Sequence, residues 1–320
     1  MARYTVEKET KPGFDRLVDS VTKSAVFIKR LGCEVIGYDV FDPQRGKTIP
    51  MLWNNNNDTP VSESAWKNHA TVLFPHVGAV HNNASVLGAQ KITTPGGHGF
   101  ARKSVFQLAK VSESDCASAT YLLQANDETL KYFPFRFKLE ITYCLKDSRL
   151  SATFTVTNKD TQDIYYQFGW HPGFSTDMGL GGKKSDWQIL LPKGKYLEYI
   201  VADAEDSYMT GEAKPVSLDG PIAWNEKSLN KTIVFEVTDT VNRRCRIFNP
   251  KLNIGVEAVY YDFPHLGLWA GVNQPFICIE PWQGMDDRLE QEPWDKKIGM
   301  LKVAPGVVIR KTAEIIPILS

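Results

Sequence analysis

The chain has 320 residues, with 37 basic and 37 acidic side chains and no net charge, which excludes a bulk electrostatic attraction to nucleic acid or anionic lipid. Its hydrophobic content of 42% is enough for a large core, yet no stretch approaches the roughly 20 apolar residues of a membrane helix. Met1–Lys11 is charged and lacks an apolar segment, so no secretory signal is expected and a cytoplasmic protein is predicted. Five cysteines (Cys33, Cys116, Cys144, Cys245 and Cys278) are widely spaced with no Cys-x-x-Cys. They are expected to act as small apolar residues in a reducing compartment.

In chain order, strands are predicted at Ser24–Ile28, Glu34–Phe41 and Ser104–Val111. Phe135–Leu145 alternates apolar and polar residues almost perfectly, Asp147-Ser148 supplies a turn, and Leu150–Val156 alternates again, the pattern of a hairpin with one buried face. Asp163–Phe168 follows, then Thr232–Thr238, Cys245–Asn249, Ile254–Tyr260, Leu266–Ala270, Phe276–Ile279 and Val307–Ile316. Helical candidates are confined to Glu63–Asn68 and Asp127–Tyr132, and Asn54–Asn57 reads as an exposed loop. Short strands with frequent turns predict a large antiparallel sandwich or barrel, as one domain over residues 1–320.

Two glycine-rich stretches are poor phosphate loops. Gly179–Lys184 has Lys184 where Ser or Thr is required and Asp177 where the first glycine belongs, and the run 96–100 precedes no helix. The second run still exposes His98 between glycines, with Arg102 four residues on. Trp170-His171-Pro172-Gly173-Phe174 places a histidine at a predicted strand end, held extended by the proline. Ile279-Glu280-Pro281-Trp282 ends an apolar strand in a carboxylate. Partial burial raises such a carboxyl towards the range of a general base. Aromatic faces beside both residues suit the C–H groups of a sugar. The plain structural alternatives are a satisfied core histidine and a glutamate paired with Arg288.

Together, His98–Arg102, Trp170–Phe174 and Ile279–Trp282 resemble the aldose 1-epimerase (galactose mutarotase) family, in its compact bacterial-type branch. Val72–Gly78, Asp262–Trp269 and Gly32–Val40 agree in the expected order, so the resemblance spans nearly the whole chain. It implies an all-β fold, a large antiparallel β-supersandwich with a sugar cleft and very few short helices. The implied reaction interconverts α and β anomers of a free aldose, with Glu280 as the base on the anomeric hydroxyl and His171 as the acid on the ring oxygen. No group or electron is transferred, so no cofactor and no metal is expected, and no short metal-ligand pair such as His-x-x-x-His occurs. His98, Arg102, Trp170 and Trp282 are implied to bind the sugar. The expected partner is a small-molecule sugar, with no nucleic acid and no membrane, acting on a monomer or homodimer.

Two positions depart from the pattern. Ala79 stands where the family commonly has a substrate-binding arginine, with His81 and Asn82 as partial replacements. Asn230-Lys231 occupies the region of an acidic sugar ligand, and Lys231 could favour a phosphorylated or acidic sugar. The competing readings are a hexose-6-phosphate 1-epimerase and a non-catalytic sugar-binding or regulatory protein on the same fold. A glycosidase requires a second carboxylate about 5–9 Å away, and only Asp286 and Asp287 lie near Glu280 in sequence.

Overall fold

The computed structural model describes residues 2–57, 65–202, 208–239, 241 and 243–319. The predicted hairpin forms as strands Phe137–Lys146 and Arg149–Asn158, ten residues each, with Phe137 opposite Asn158 and Lys146 opposite Arg149. Its inward residues Leu139, Ile141, Tyr143, Ala152 and Phe154 are fully buried, as period-two alternation requires. The hairpin lies inside an eight-stranded sheet, in lateral order Gln188–Leu190, Arg244–Asn249, Ile254–Val259, Val308–Ile318, Arg149–Asn158, Phe137–Lys146, Ala117–Gln124 and Gln107–Ser112.

A seven-stranded sheet faces it, in lateral order Met209–Leu218, Gly194–Val201, Ile233–Glu236, His265–Trp269, Phe276–Gln283, Phe168–Ser175 and Ala70–Leu73. Ladder pairing is antiparallel throughout both sheets. The core lies between them. Tyr143 packs 6.2 Å from Trp170 and Phe154 5.9 Å from Phe168, ring centre to ring centre. An N-terminal meander of five strands, Tyr4–Lys11 to Lys47–Pro50, abuts the eight-stranded sheet, where the Tyr143 hydroxyl donates to the Cys33 carbonyl at 2.7 Å.

Helix is limited to Asp127–Leu130 and Glu226–Asn230 among the described residues, apart from single 3-10 turns. Asn126 and Asn225 cap them through capping boxes. Of the helix predicted at Glu63–Asn68, residues 63 and 64 lie outside the described residues and 65–68 are not helical. No described helix is long and apolar enough to cross a membrane. The expectation that all five cysteines are unpaired is corrected: Cys116 and Cys144 form a disulfide with Cα atoms 6.0 Å apart. Strand pairing sets Ser118 opposite Cys144 and so brings Cys116 beside it. Cys33, Cys245 and Cys278 remain free and buried.

Candidate functional site

The strands Phe168–Ser175 and Phe276–Gln283, neighbours in the seven-stranded sheet next to its edge strand Ala70–Leu73, are the histidine and glutamate strands. Gly169 pairs with Trp282 and Gly173 with Cys278. The same register sets His171 opposite Glu280, and the two meet at 3.2 Å between Nε2 and Oε2. Both were expected at strand ends, but both lie inside strands that run through their prolines. Pro172 and Pro281 have no N–H for the ladder, so this short stretch does without them.

Alternation then sorts the side chains. Phe168, Trp170 and Phe174 face the core, while Gly169, His171 and Gly173 face the other way. Trp170, expected to line the sugar pocket, is therefore corrected to a core residue. It is 1% exposed and its indole donates to the Ala70 carbonyl at 3.2 Å.

On the opposite face lies a cavity of about 350 Å³, whose lining includes Trp66, Ala79, His98, Arg102, His171, Trp269, Glu280, Trp282 and Asp286. Trp66 stacks on the His171 ring at 4.8 Å, and Trp269 meets it edge-on at 5.8 Å. One stacked and one edge-on tryptophan thus fix the imidazole. Gly267 leaves room for Trp282, since a Cβ there would come within 2.8 Å of the indole.

His98 comes from the glycine-rich loop and holds a left-handed backbone with φ 66°, a conformation rare outside glycine. Its backbone bonds compensate: its N–H donates to the Gly78 carbonyl at 2.8 Å and Phe74 N–H donates to its carbonyl at 3.3 Å. Its Nδ1 accepts the Gly78 N–H at 3.0 Å, which places the ring proton on Nε2 as a donor for a ligand. The ring stands 5.3 Å from His171. Arg102 sits on the following 3-10 turn and lines the same cavity.

Sequence reading missed Asp286 as a member of this cavity. Its carboxylate accepts the Ala79 N–H at 2.7 Å, and a Cβ on Gly78 would collide with it at 2.2 Å. Asp286 thus occupies the cavity beside Ala79. Its chain neighbour Asp287 ion-pairs with buried Lys297 and accepts the His81 N–H at 2.9 Å. These bonds hold the 79–81 segment against the 286–287 segment. His81 and Asn82 consequently fall outside the cavity lining: His81 stacks on Tyr208 at 5.2 Å, and Asn82 is exposed in a left-handed turn with φ 52°. Lys231 is also outside it, at the C-terminal cap of the helix Glu226–Asn230, while its neighbour Thr232 lines the wall.

Gly78→Ala is expected to displace Asp286, since the new methyl group also demands the left-handed backbone at φ 67°. Such strain costs about 1–3 kcal/mol. A lowered urea midpoint together with weaker ligand binding checks this, and an unchanged variant contradicts the packing described.

Electrostatics follow from burial. Desolvation, then the neighbouring Asp286 charge, raises the Glu280 carboxyl well above its ordinary range. The Trp282 indole opposes that rise without closing a hydrogen bond in this geometry. Burial, then Arg102, lowers His171 to about 3, and burial lowers His98 well below its usual value. Burial raises Asp286 to about 6. His171 therefore departs from the near-neutral imidazole expected from sequence. Burial thus favours the uncharged form of both groups in the ligand-free pocket, a proton on Glu280 beside a neutral His171.

Comparison with known proteins identifies the family and the fold. Residues 23–315 match the family model described as Aldose 1-epimerase. The plasmid-encoded protein LacX of Lactococcus lactis subsp. lactis is 28% identical over 263 residues, covering 78% of this chain and 85% of LacX. A galactose mutarotase related enzyme from Lactobacillus acidophilus superposes with a TM-score of 0.81 at 25% identity, over 92% of this chain and 94% of that one. A galactose mutarotase-like protein from Lactobacillus casei gives 0.76 at 22% identity, over 98% and 99%. The β-supersandwich expected from the sequence is shared with these neighbours, and on the match of its residues 23–315 the chain belongs to the aldose 1-epimerase family.

Proposed function

We propose that the protein is an aldose 1-epimerase that interconverts the anomers of a free, uncharged aldose at the His171–Glu280 pair. The observation that carries this reading is the 3.2 Å contact between two buried proton carriers in a cavity lined by Trp66, Trp269 and Trp282. An aldose offers two oxygens on one carbon, the anomeric hydroxyl and the ring oxygen, and a close pair of acid and base suits such a unit. Glu280 takes the hydroxyl proton while His171 gives a proton to the ring oxygen, and the C1–O5 bond opens to a carbonyl. Rotation about C1–C2 and closure on the other carbonyl face return both protons.

The reacting form is the tautomer in which the shared proton has moved from Glu280 to His171. Sugar hydroxyls that hydrogen-bond the carboxylate favour it by replacing the water that burial removed. His98 Nε2–H and Arg102 supply donors to sugar oxygens, and Asp286 accepts from a hydroxyl. An uncharged sugar fits better than a phosphorylated one, because two acids and a single non-histidine cation, Arg102, line the cavity among the described residues.

The test is anomer exchange followed by NMR on neutral, acidic and phosphorylated sugars. Wild-type protein should accelerate exchange of a neutral aldose, with His171→Asn and Glu280→Gln losing the effect. Equal, slow rates for all three proteins on every sugar would sink the reading. The company of Glu280 and Asp286 in one cavity favours one rival, a glycosidase, which release of nitrophenol from aryl glycosides would reveal.

A further inference from the structure

We propose that His171, Cys278 and Glu280 form a binding site for a thiophilic divalent cation such as Zn²⁺, and that the cation blocks the pocket when it binds. The three residues come from adjacent strands. Cys278 and Glu280 share one face of the glutamate strand two residues apart, and His171 lies across from them. Each brings one ligand atom, all are buried, and the three atoms lie within 4.8 Å of one another. Sequence spacing hides such a set, because no single strand carries more than two of its members.

Other groups leave these ligands open to a metal. Among the described residues His171 Nδ1 is buried with no hydrogen-bond partner, and the buried Glu280 Oε2 has only its 3.2 Å contact with His171 Nε2. Gly173 pairs with Cys278 across the ladder, where a Cβ would come within 3.2 Å of the sulfur. Glycine there spares both the sulfur and the Trp66 ring, which a Cβ would approach to 2.7 Å.

The donor set selects the metal. Thiolate, imidazole and carboxylate together suit zinc, cadmium or cobalt, whereas magnesium and calcium prefer oxygen alone. Metal–ligand bonds of about 2.0–2.3 Å place tetrahedral ligand atoms about 3.5 Å apart. The three side chains must therefore close in by roughly 1 Å, and the Cys278 thiol releases its proton as the metal binds. His171 and Glu280 line the cavity, so the fourth position opens towards the sugar. A cation here occupies both proton carriers and competes with substrate. That inhibition rests on the epimerase reading; binding itself does not.

Cobalt(II) supplies a test that needs no catalysis, because cobalt bound to a thiolate gives a charge-transfer absorption. The full chain is titrated without thiol reductant, so that the Cys116–Cys144 bond stays closed and Cys33 and Cys245 are common to all variants. Wild-type protein should show an absorption saturating at one equivalent, displaced by Zn²⁺ and not by Mg²⁺. Cys278→Ala and Cys278→Ser should lose it, and His171→Asn should bind at least ten-fold more weakly while keeping the thiol. Zn²⁺ should also slow wild-type anomer exchange competitively, with Cys278→Ala retaining exchange and resisting Zn²⁺ at least ten-fold. Absence of the absorption in wild-type protein, or its survival in both Cys278 variants, overturns the proposal. Should both Cys278 variants fail to fold, undiminished binding by His171→Asn overturns it as well. Specific cobalt binding by a protein that exchanges no sugar supports the metal site and refutes the epimerase reading.

Discussion

Replacing Glu280 by Gln is expected to slow anomer exchange by about 10²–10⁴-fold while making the folded protein more stable at neutral and alkaline pH. The second effect follows from linkage. In the unfolded chain a glutamate ionises near 4.3; in the fold, desolvation and then Asp286 hold the Glu280 carboxyl well above that. Its contribution to stability is complete below about 4.3, falls as pH rises towards the folded value, and levels off once Glu280 ionises in place. The loss is at most about 1.4 kcal/mol per pH unit. His171, lowered to about 3, acts with the opposite sign: its stability is regained as pH rises towards about 6.5. Asp286, raised to about 6, has finished its change by then. Above pH ~6.5 the Glu280 slope therefore stands apart from theirs, and Gln does not carry it. Urea unfolding of both proteins across neutral and alkaline pH should show a gap that widens with pH. A constant gap would mean that Glu280 is already ionised in the ligand-free fold at neutral pH.

The buried half of this site was legible in the sequence because its physics is local. The 135–156 hairpin repeats every two residues, so its strands were readable to within two residues of their ends. His171 and Glu280 stood out because each precedes a proline and follows apolar residues. What the sequence hid was tertiary. The sequence reading places His171 and Glu280 at strand ends, yet the histidine and glutamate strands continue through Pro172 and Pro281. Met209–Leu218 lies at the edge of its sheet, mostly exposed and containing Pro215, so it shows no alternation to detect. Trp170 is adjacent to His171 in sequence but on the opposite sheet face, a distinction that depends on which face is wet. Asp286 reaches the cavity through a bond to the Ala79 N–H, 207 residues away in sequence, and no local pattern marks it.

Asp286 is thus the residue whose replacement discriminates most sharply between a gripping role and a merely structural one. Asp286→Asn preserves shape, and an amide oxygen can still accept the Ala79 N–H. What disappears is a negative charge beside Glu280 and a strong acceptor for a sugar hydroxyl. A charge-assisted hydrogen bond of about 1.5–3 kcal/mol corresponds to a fall in kcat/KM of roughly 10–150-fold. The pH profile supplies the signature that simple damage does not. Asp286 raises the Glu280 carboxyl, so removing its charge lets the His171–Glu280 pair lose its single proton more easily, and the alkaline limb of the rate profile should move to lower pH. Asp287 provides the contrast one residue away. Its carboxylate is taken up by Lys297 and the His81 N–H, so Asp287→Asn should lower stability and leave that limb where it was. If both variants lose stability alike and neither shifts the limb, Asp286 is a brace for the 79–81 segment rather than part of the hold on the sugar.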